Sequence, residues 1–335
     1  MIIKKHKNIQ YSENKKPANC LLKQSLRICL PNYYISNYDN FNNIIADLKF
    51  QVFPCCYYSY DCNTKPLGYI TIDDIKNNNV YNKLLELYNS RLYNHILPSC
   101  TLLNKNINNT DYFCNWYDAP LKKVIVSIQK SCNLKCKMCR RDLIIMKDID
   151  KYQFDILEQL KGHNLKELAL TDDGEPFLYK EKMFNYINSI TTNDFKQISC
   201  ISNLTLLDLN DVDNLREFVK RTEVQFFVTA SIDGATAETY KTIRNNNFFD
   251  RVMANALRLN EHKILQQINF VIQKENIHEL LDAYYYWKSK NVNFLAIPIN
   301  NNSANINNDN NEIISNPIYQ EYIKSKINED LQFKQ

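Results

Sequence analysis

The chain has 335 residues, enough for about two domains, and 44% hydrophobic with 12% aromatic residues can fill a sizeable core, which excludes a disordered chain. With 41 Lys+Arg against 37 Asp+Glu the formal charge is only +4, so charge alone indicates neither nucleic acid nor an anionic membrane as partner. No window approaches eighteen apolar residues and the first residues lack the apolar run of a signal peptide, so a cytoplasmic protein without membrane contact is expected.

The first 120 residues contain an aromatic-rich extended stretch from Ile28 to Tyr34, another from Phe50 to Tyr60, and a helix-like run from Val80 to Ile96. They predict a small hairpin-plus-helix module with little core of its own, which needs a metal or a docked neighbour for stability. Seven of the eleven cysteines lie there: Cys20, Cys29, Cys55, Cys56, Cys62, Cys100 and Cys114. In a reducing cytosol, metal binding or catalysis is a better reading of them than a disulfide framework.

From Leu121 to Ile299, short β-branched runs alternate with longer amphipathic stretches. Six strands are predicted, at Val124–Ile128, Glu167–Leu170, Gln197–Ser202, Val224–Ser231, Ile268–Ile272 and Phe294–Ile297. Between them Phe154, Leu157 and Leu160 share one helical face, and Leu280, Leu281, Tyr284 and Trp287 make another stripe. Asn276 with Glu279 reads as an N-cap with its capping box. Near-continuous apolar strands alternating with helices imply a parallel sheet covered by helices, either open and doubly wound or a barrel. The boundaries read as 1–120, 121–300, and a polar 301–335 tail with a short helix at Asn316–Leu331.

Ser131-Cys132-Asn133-Leu134-Lys135-Cys136-Lys137-Met138-Cys139 follows the first of those strands, which puts three thiols at the carboxyl edge of the sheet, where ligands gather. Three soft ligands within eight residues call for zinc or an iron-sulfur cluster. A closed zinc site needs a fourth ligand, for which His163 and Cys114 are nearest in sequence; three ligands alone leave an open position for substrate or cofactor.

The spacing Cys132-x3-Cys136-x2-Cys139 after a strand resembles the cluster motif of the radical S-adenosylmethionine (radical SAM) superfamily. The resemblance implies an α/β fold, a partial (β/α)6 TIM-like barrel, in which the three cysteines hold a 4Fe-4S cluster. S-Adenosylmethionine then binds the fourth iron and is cleaved by one electron from a donor such as flavodoxin or ferredoxin. Met138 stands where relatives have an aromatic residue, and its soft side chain can pack on adenine. Asp173-Gly174-Glu175-Pro176 is similar to the family's Gly-Gly-Glu-Pro segment, which meets the methionine amino group; Asp173 replaces the first glycine. Gly174, one of only four glycines, suggests a backbone demand that a Cβ would violate. Ser202-Asn203 stands where relatives bind ribose. Ser231-Ile232-Asp233-Gly234 with Tyr240 and Arg244 resembles the SPASM-type enzymes, which implies that Ser231 and Arg244 contact the methionine carboxylate and that Asp233 and Gly234 shape the turn. Val271 and Gln273 correspond to backbone lining the adenine pocket.

The amino-terminal cysteines resemble a SPASM or twitch module placed before the barrel instead of after it, with the usual closing Cys-x-x-Cys missing. That implies one auxiliary iron-sulfur cluster, with Cys29, Cys55 or Cys56, and Cys100 as ligands and Cys62 or Cys114 as the fourth. A metal-free module is the alternative. Cys55 and Cys56 would face opposite sides of a strand, so at most one ligates. SPASM-type relatives modify peptide side chains or oxidise small molecules such as sugars; a peptide-like substrate is expected, and the sequence assigns no general base. A zinc or iron-sulfur protein without catalysis stays open.

Overall fold

The computed structural model describes residues 25–29, 48–53, 66–90, 120–127, 131–139, 147–170, 174–299 and 310–332. Three strands come first: β1 (Ser25–Cys29), β2 (Lys49–Phe53) and β3 (Gly68–Thr71). The helices α1 (Ile72–Lys76) and α2 (Val80–Ser90) follow them. The alternating part then runs β4 (Lys123–Ser127), α3 (Lys147–Glu158), β5 (Leu165–Leu170), α4 (Lys180–Asn188), β6 (Phe195–Ser202) and α5 (Leu209–Thr222). It continues with β7 (Gln225–Ser231), α6 (Ala237–Arg244), α7 (Phe249–Glu261), β8 (Leu265–Ile272), α8 (Leu280–Ser289) and β9 (Asn293–Pro298). Helices α9 (Asn310–Ser315) and α10 (Pro317–Gln332) close the chain.

Among the described residues, the nine strands form one sheet in the order β3-β2-β1-β4-β5-β6-β7-β8-β9. Strands β4 to β9 are the six predicted ones and are mutually parallel, which makes them an open (β/α)6 barrel. The hairpin-plus-helix expected ahead of them is present, and it is not a satellite. β1 pairs parallel with β4, matching Ile28 to Val126, while β2 and β3 extend the same sheet in antiparallel fashion. Its apolar residues Ile28, Phe50, Val52, Ile70 and Leu84 belong to one core cluster with Val124 and Val126. The first strands thus gain their stability from a docked neighbour, at about 1.5–3 kcal/mol for each fully buried large apolar side chain.

Polar contacts fasten the same junction. Gln159 donates to Ile75 O at 2.7 Å and accepts from Val80 N at 3.1 Å, closing the end of α1 and the start of α2 together. The His163 ring stacks on Tyr81, with centroids 3.5 Å apart and planes 6° from parallel.

β6 and β8 share the burial pattern of alternating strands, with Ile268, Phe270 and Ile272 buried and Gln267, Asn269 and Val271 half-buried. This differs from the near-continuous apolar strands expected for a sheet covered on both faces. An open barrel packs helices on its outer face and leaves the inner face to polar side chains and ligands. At the sheet's last strand, Tyr322 of α10 accepts from Ala296 N at 3.0 Å and donates to Phe294 O at 3.4 Å. Two of the strand's outward backbone groups are therefore occupied, which blunts it as a pairing edge. Among the described residues no helix is long and apolar enough to cross a membrane.

A candidate cofactor site at the carboxyl ends of the strands

The loops that leave β4, β5, β6 and β7, together with the end of α6 and Val271 of β8, enclose a cavity of about 230 Å³. Cys132, Cys136 and Cys139 line it beside Leu134 and Met138. Gly174, Glu175, Ile201, Ser202, Asn203, Ser231, Arg244 and Val271 complete the wall. Residues spread over 140 positions of sequence meet here because parallel strands all deliver their carboxyl ends to one edge. Gln273 is fully buried but is not part of that wall. Asp173, Cys55, Cys56, Cys62, Cys100 and Cys114 lie outside the described residues, as does the side chain of Cys29, whose backbone pairs with Gln51 and Ser127 at the end of β1.

The cysteine loop is held from several sides. Lys137 N donates to Ile243 O at 2.8 Å, Cys139 N to Cys136 O at 3.0 Å, and Glu175 N to Ser131 O at 3.0 Å. The Lys137 ammonium also pairs with Glu275 in the loop after β8. Leu134 is buried and its N–H points at Cys132 Sγ, 3.5 Å away. Among the described residues no three His, Cys, Asp or Glu side chains converge on a point for one ion; the three thiols surround a space instead. His163, one of the two residues nearest in sequence as a fourth zinc ligand, stands at the amino end of β5, a strand's length or roughly 20 Å from the carboxyl edge where the cysteines lie. It packs the amino-terminal helix and is no ligand there.

Glu175 is 2% exposed, and its carboxylate is held on both oxygens. Oε1 accepts from Ser202 Oγ at 2.7 Å and Phe177 N at 3.2 Å, and Oε2 accepts from Asn203 N at 2.8 Å. Burial raises its pKa to about 7, against the lowering effect of those donors. Ser202 and Asn203, which the family pattern assigns to ribose, spend a hydroxyl and an N–H on this carboxylate. The Asn203 side chain reaches Cys132 Sγ at 3.7 Å and Asn133 Oδ1 at 3.1 Å. Asn255 of α7 supports that loop by donating to Leu204 O and Leu207 O.

Asp233 does more than shape a turn. It is fully buried, accepts from Val271 N at 2.7 Å, and its Oδ2 meets Arg244 Nη2 at 2.5 Å. From sequence, Asp233 belongs to a turn and not to the site; its signal there is an arginine eleven positions on, and burial gives that pairing its meaning. Arg244 is 7% exposed and its Nε is buried with no hydrogen-bond partner among the described residues. Gly234 does serve the turn, and it does so through packing. A Cβ there would lie 2.7 Å from Tyr240 N, a backbone atom that cannot step aside. Gly234→Ala is expected to cost on the order of 2–3 kcal/mol of unfolding free energy, measured by urea denaturation, because overpacking against backbone is not relieved by a rotamer.

The expected capping box of Asn276 and Glu279 is absent, and both side chains work elsewhere. Asn276 accepts from Gln273 N and donates to Asp233 O and Val271 O, each within 2.9 Å. Glu279 accepts from Ala235 N at 2.7 Å and from the hydroxyls of Thr236 and Thr239 at 2.6 and 2.8 Å, so it closes the start of α6 from another element. The loops after β7 and β8 are thereby tied into one wall, an arrangement no local pattern announces. Through these bonds the backbones of Val271 and Gln273 are committed to Asp233 and Asn276, and Val271 meets the cavity.

Residues 126–284 match the model of the family described as the Radical SAM superfamily. The chain contains a radical SAM domain. Curated relatives include a probable GTP 3',8-cyclase of Methanothermobacter marburgensis, 27% identical over 180 residues, covering 51% of this chain and 55% of the relative. A GTP 3',8-cyclase of Synechocystis sp. is 25% identical over 189 residues, covering 54% and 55%. The chain spans about half the length of the curated relatives it matches. Similar solved structures include Streptococcus suis SuiB bound to S-adenosylmethionine, at 16% identity and a TM-score of 0.44 over 78% of this chain and 65% of that one. Native anSMEcpe with bound AdoMet is similar at 19% identity and a TM-score of 0.43, over 62% of each chain.

A radical SAM domain implies a 4Fe-4S cluster and S-adenosylmethionine. The donor set of this cavity fits that pair of groups: soft thiols on one loop for iron, a buried carboxylate for an ammonium, and a guanidinium with an orphaned Nε for a carboxylate.

Proposed function

We propose that this protein generates a radical from S-adenosylmethionine and uses it to remove hydrogen from a substrate. Cys132, Cys136 and Cys139 would hold the 4Fe-4S cluster. Bound there with S-adenosylmethionine, the cluster would supply the single electron that splits the sulfonium into methionine and a 5'-deoxyadenosyl radical. The reading rests on one observation: three thiols, a buried carboxylate and a buried guanidinium line the same cavity.

The chain's own part is to bind, orient and exclude water. Glu175, kept in place by Ser202 and Asn203, faces the ligand's ammonium. Arg244 Nε and the Ser231 hydroxyl would face its carboxylate, and Met138 and Val271 would pack on its adenine. Leu134 and Ile201 add apolar wall, which keeps solvent from a reactive intermediate. The electron would come from a flavodoxin- or ferredoxin-class donor, and an auxiliary cluster on the amino-terminal cysteines would take one from the product of an oxidation.

The deciding experiment is anaerobic reconstitution of the full chain with iron and sulfide, then reduction with dithionite in the presence of S-adenosylmethionine. The expected result is a brown, oxygen-sensitive protein that releases 5'-deoxyadenosine and methionine. A protein that takes up iron but leaves S-adenosylmethionine intact would instead be a metal-binding protein without this catalysis. Two substrate classes enter the same assay. The SPASM-like resemblance of residues 1–120 supports a peptide side chain, and the match to GTP 3',8-cyclases supports a purine nucleotide. The true class should accelerate 5'-deoxyadenosine release and appear as a product two mass units lighter or rearranged.

A further inference from the structure

Arg244 has a second contact that ligand binding does not account for. Its Nη2 is paired with Asp233 while its Nη1 donates to Cys136 Sγ at 3.6 Å. The placement is fixed from three directions. Asp233 is anchored by Val271 N at 2.7 Å and by Asn276 Nδ2 on its carbonyl at 2.9 Å. The cysteine loop is tied to the same helix end through Lys137 N and Ile243 O at 2.8 Å. Neither the ion pair nor the thiol can move away from the other without breaking that lattice.

We propose that the Asp233–Arg244 pair sets the reduction potential of the cluster held by Cys136; this rests on the reading that the three cysteines bind a 4Fe-4S cluster. One-electron reduction adds a single negative charge, taken from a low-potential donor such as dithionite, and no atom or proton is exchanged. Arg244 stabilises that added charge by its hydrogen bond to the thiolate and by its own positive charge, because net charge and hydrogen bonds to sulfur are what set such potentials. Asp233 opposes it. Both side chains are buried, so water screens neither. Intact, the pair is close to neutral and its dipole points a guanidinium at the sulfur.

The two halves therefore predict shifts of opposite sign. Arg244→Met removes the hydrogen bond and the positive charge beside the cluster and should move the midpoint negative; Asp233→Asn leaves the guanidinium uncompensated and should move it positive. Each is expected to change the reduced-to-oxidised ratio at a fixed donor potential by about tenfold, which is 59 mV for one electron. Arg244→Lys keeps a charge against Asp233 but has no fork to reach the thiolate as well, so it should fold, load, and titrate between the wild type and the Met variant.

The measurement is an anaerobic potentiometric titration of the reconstituted full chain without S-adenosylmethionine or substrate. Visible bleaching and the paramagnetic resonance of the reduced cluster read only the loaded fraction, so partial loading does not obscure it. Opposite shifts support the proposal. Loaded variants that titrate with the wild type, or shift in the same direction, overturn it while leaving the cluster reading intact. A wild-type chain that takes up no four-iron cluster overturns both.

Discussion

Cys136→Ala is expected to lose the cluster and with it S-adenosylmethionine cleavage, lowering 5'-deoxyadenosine release by more than about 100-fold. A ligand that is removed costs more than the 10–100-fold typical of its outer-shell partners. Cys136 is the middle thiol of a loop pinned at Ile243, so no neighbouring sulfur can slide into its place. Cys200→Ala is the matched control. That thiol is 2% exposed in β6 and does not line the cavity, so its loss should cost about 1 kcal/mol of packing and leave iron loading unchanged. Iron and sulfide per chain, measured beside the nucleoside assay, check both. Equal loading in Cys136→Ala and the wild type would remove the basis of the proposed chemistry.

Glu175→Gln should change how stability of the cluster-free chain depends on pH. Burial raises the carboxyl to about 7, above its ordinary value of 4.5, so the folded chain holds this proton more tightly than the unfolded one. Its contribution is therefore fully present below about pH 4.5 and is lost as pH rises through 7, a total of about 3 kcal/mol. Glutamine cannot ionise and still accepts from Ser202 or Asn203. The variant should be the more stable protein at pH 8, by up to that amount, and indistinguishable near pH 4. Urea denaturation across that range measures the difference. Binding reverses the preference. An ammonium beside an ionised Glu175 is favoured as pH rises, so the wild type should gain about tenfold in S-adenosylmethionine affinity relative to the variant between pH 6 and 8. Parallel pH profiles for the two proteins would show that Glu175 neither carries the buried charge nor meets the ligand.

The site trades stability for binding in other ways too. Burying Asp233 and Arg244 together costs desolvation that an apolar pair would avoid, and pairs of that kind are weak devices for stability. Their charge beside Cys136 is what the proposed tuning of the cluster requires. The same logic applies to the orphaned Nε of Arg244, a buried donor whose partner is expected to be the ligand.

Much of this protein was legible before folding. The six parallel strands show in runs such as Lys123–Ser127 and Leu265–Ile272, because β-branched and aromatic residues cluster where a pleated surface is packed. The three thiols show in their spacing, since a loop of eight residues can surround a cluster by itself. Glu175, Ser202 and Arg244 show because Glu175 lies in the loop after β5, Ser202 ends β6 and Arg244 ends the helix after β7, and parallel strands bring their carboxyl ends to one edge. Residue order alone thus places the strands and helices of the barrel and sends the cysteine loop to the carboxyl edge of β4. The folded chain adds that β1 joins β4 in a common sheet, that Asn276 and Glu279 fasten neighbouring loops instead of capping their own helix, and that Asp233 faces Arg244 behind Cys136. Local pattern fixes what a residue offers. Its partner depends on which segments the crossovers bring within hydrogen-bond reach, and on burial, which turns an ordinary carboxylate and guanidinium into charges that must meet.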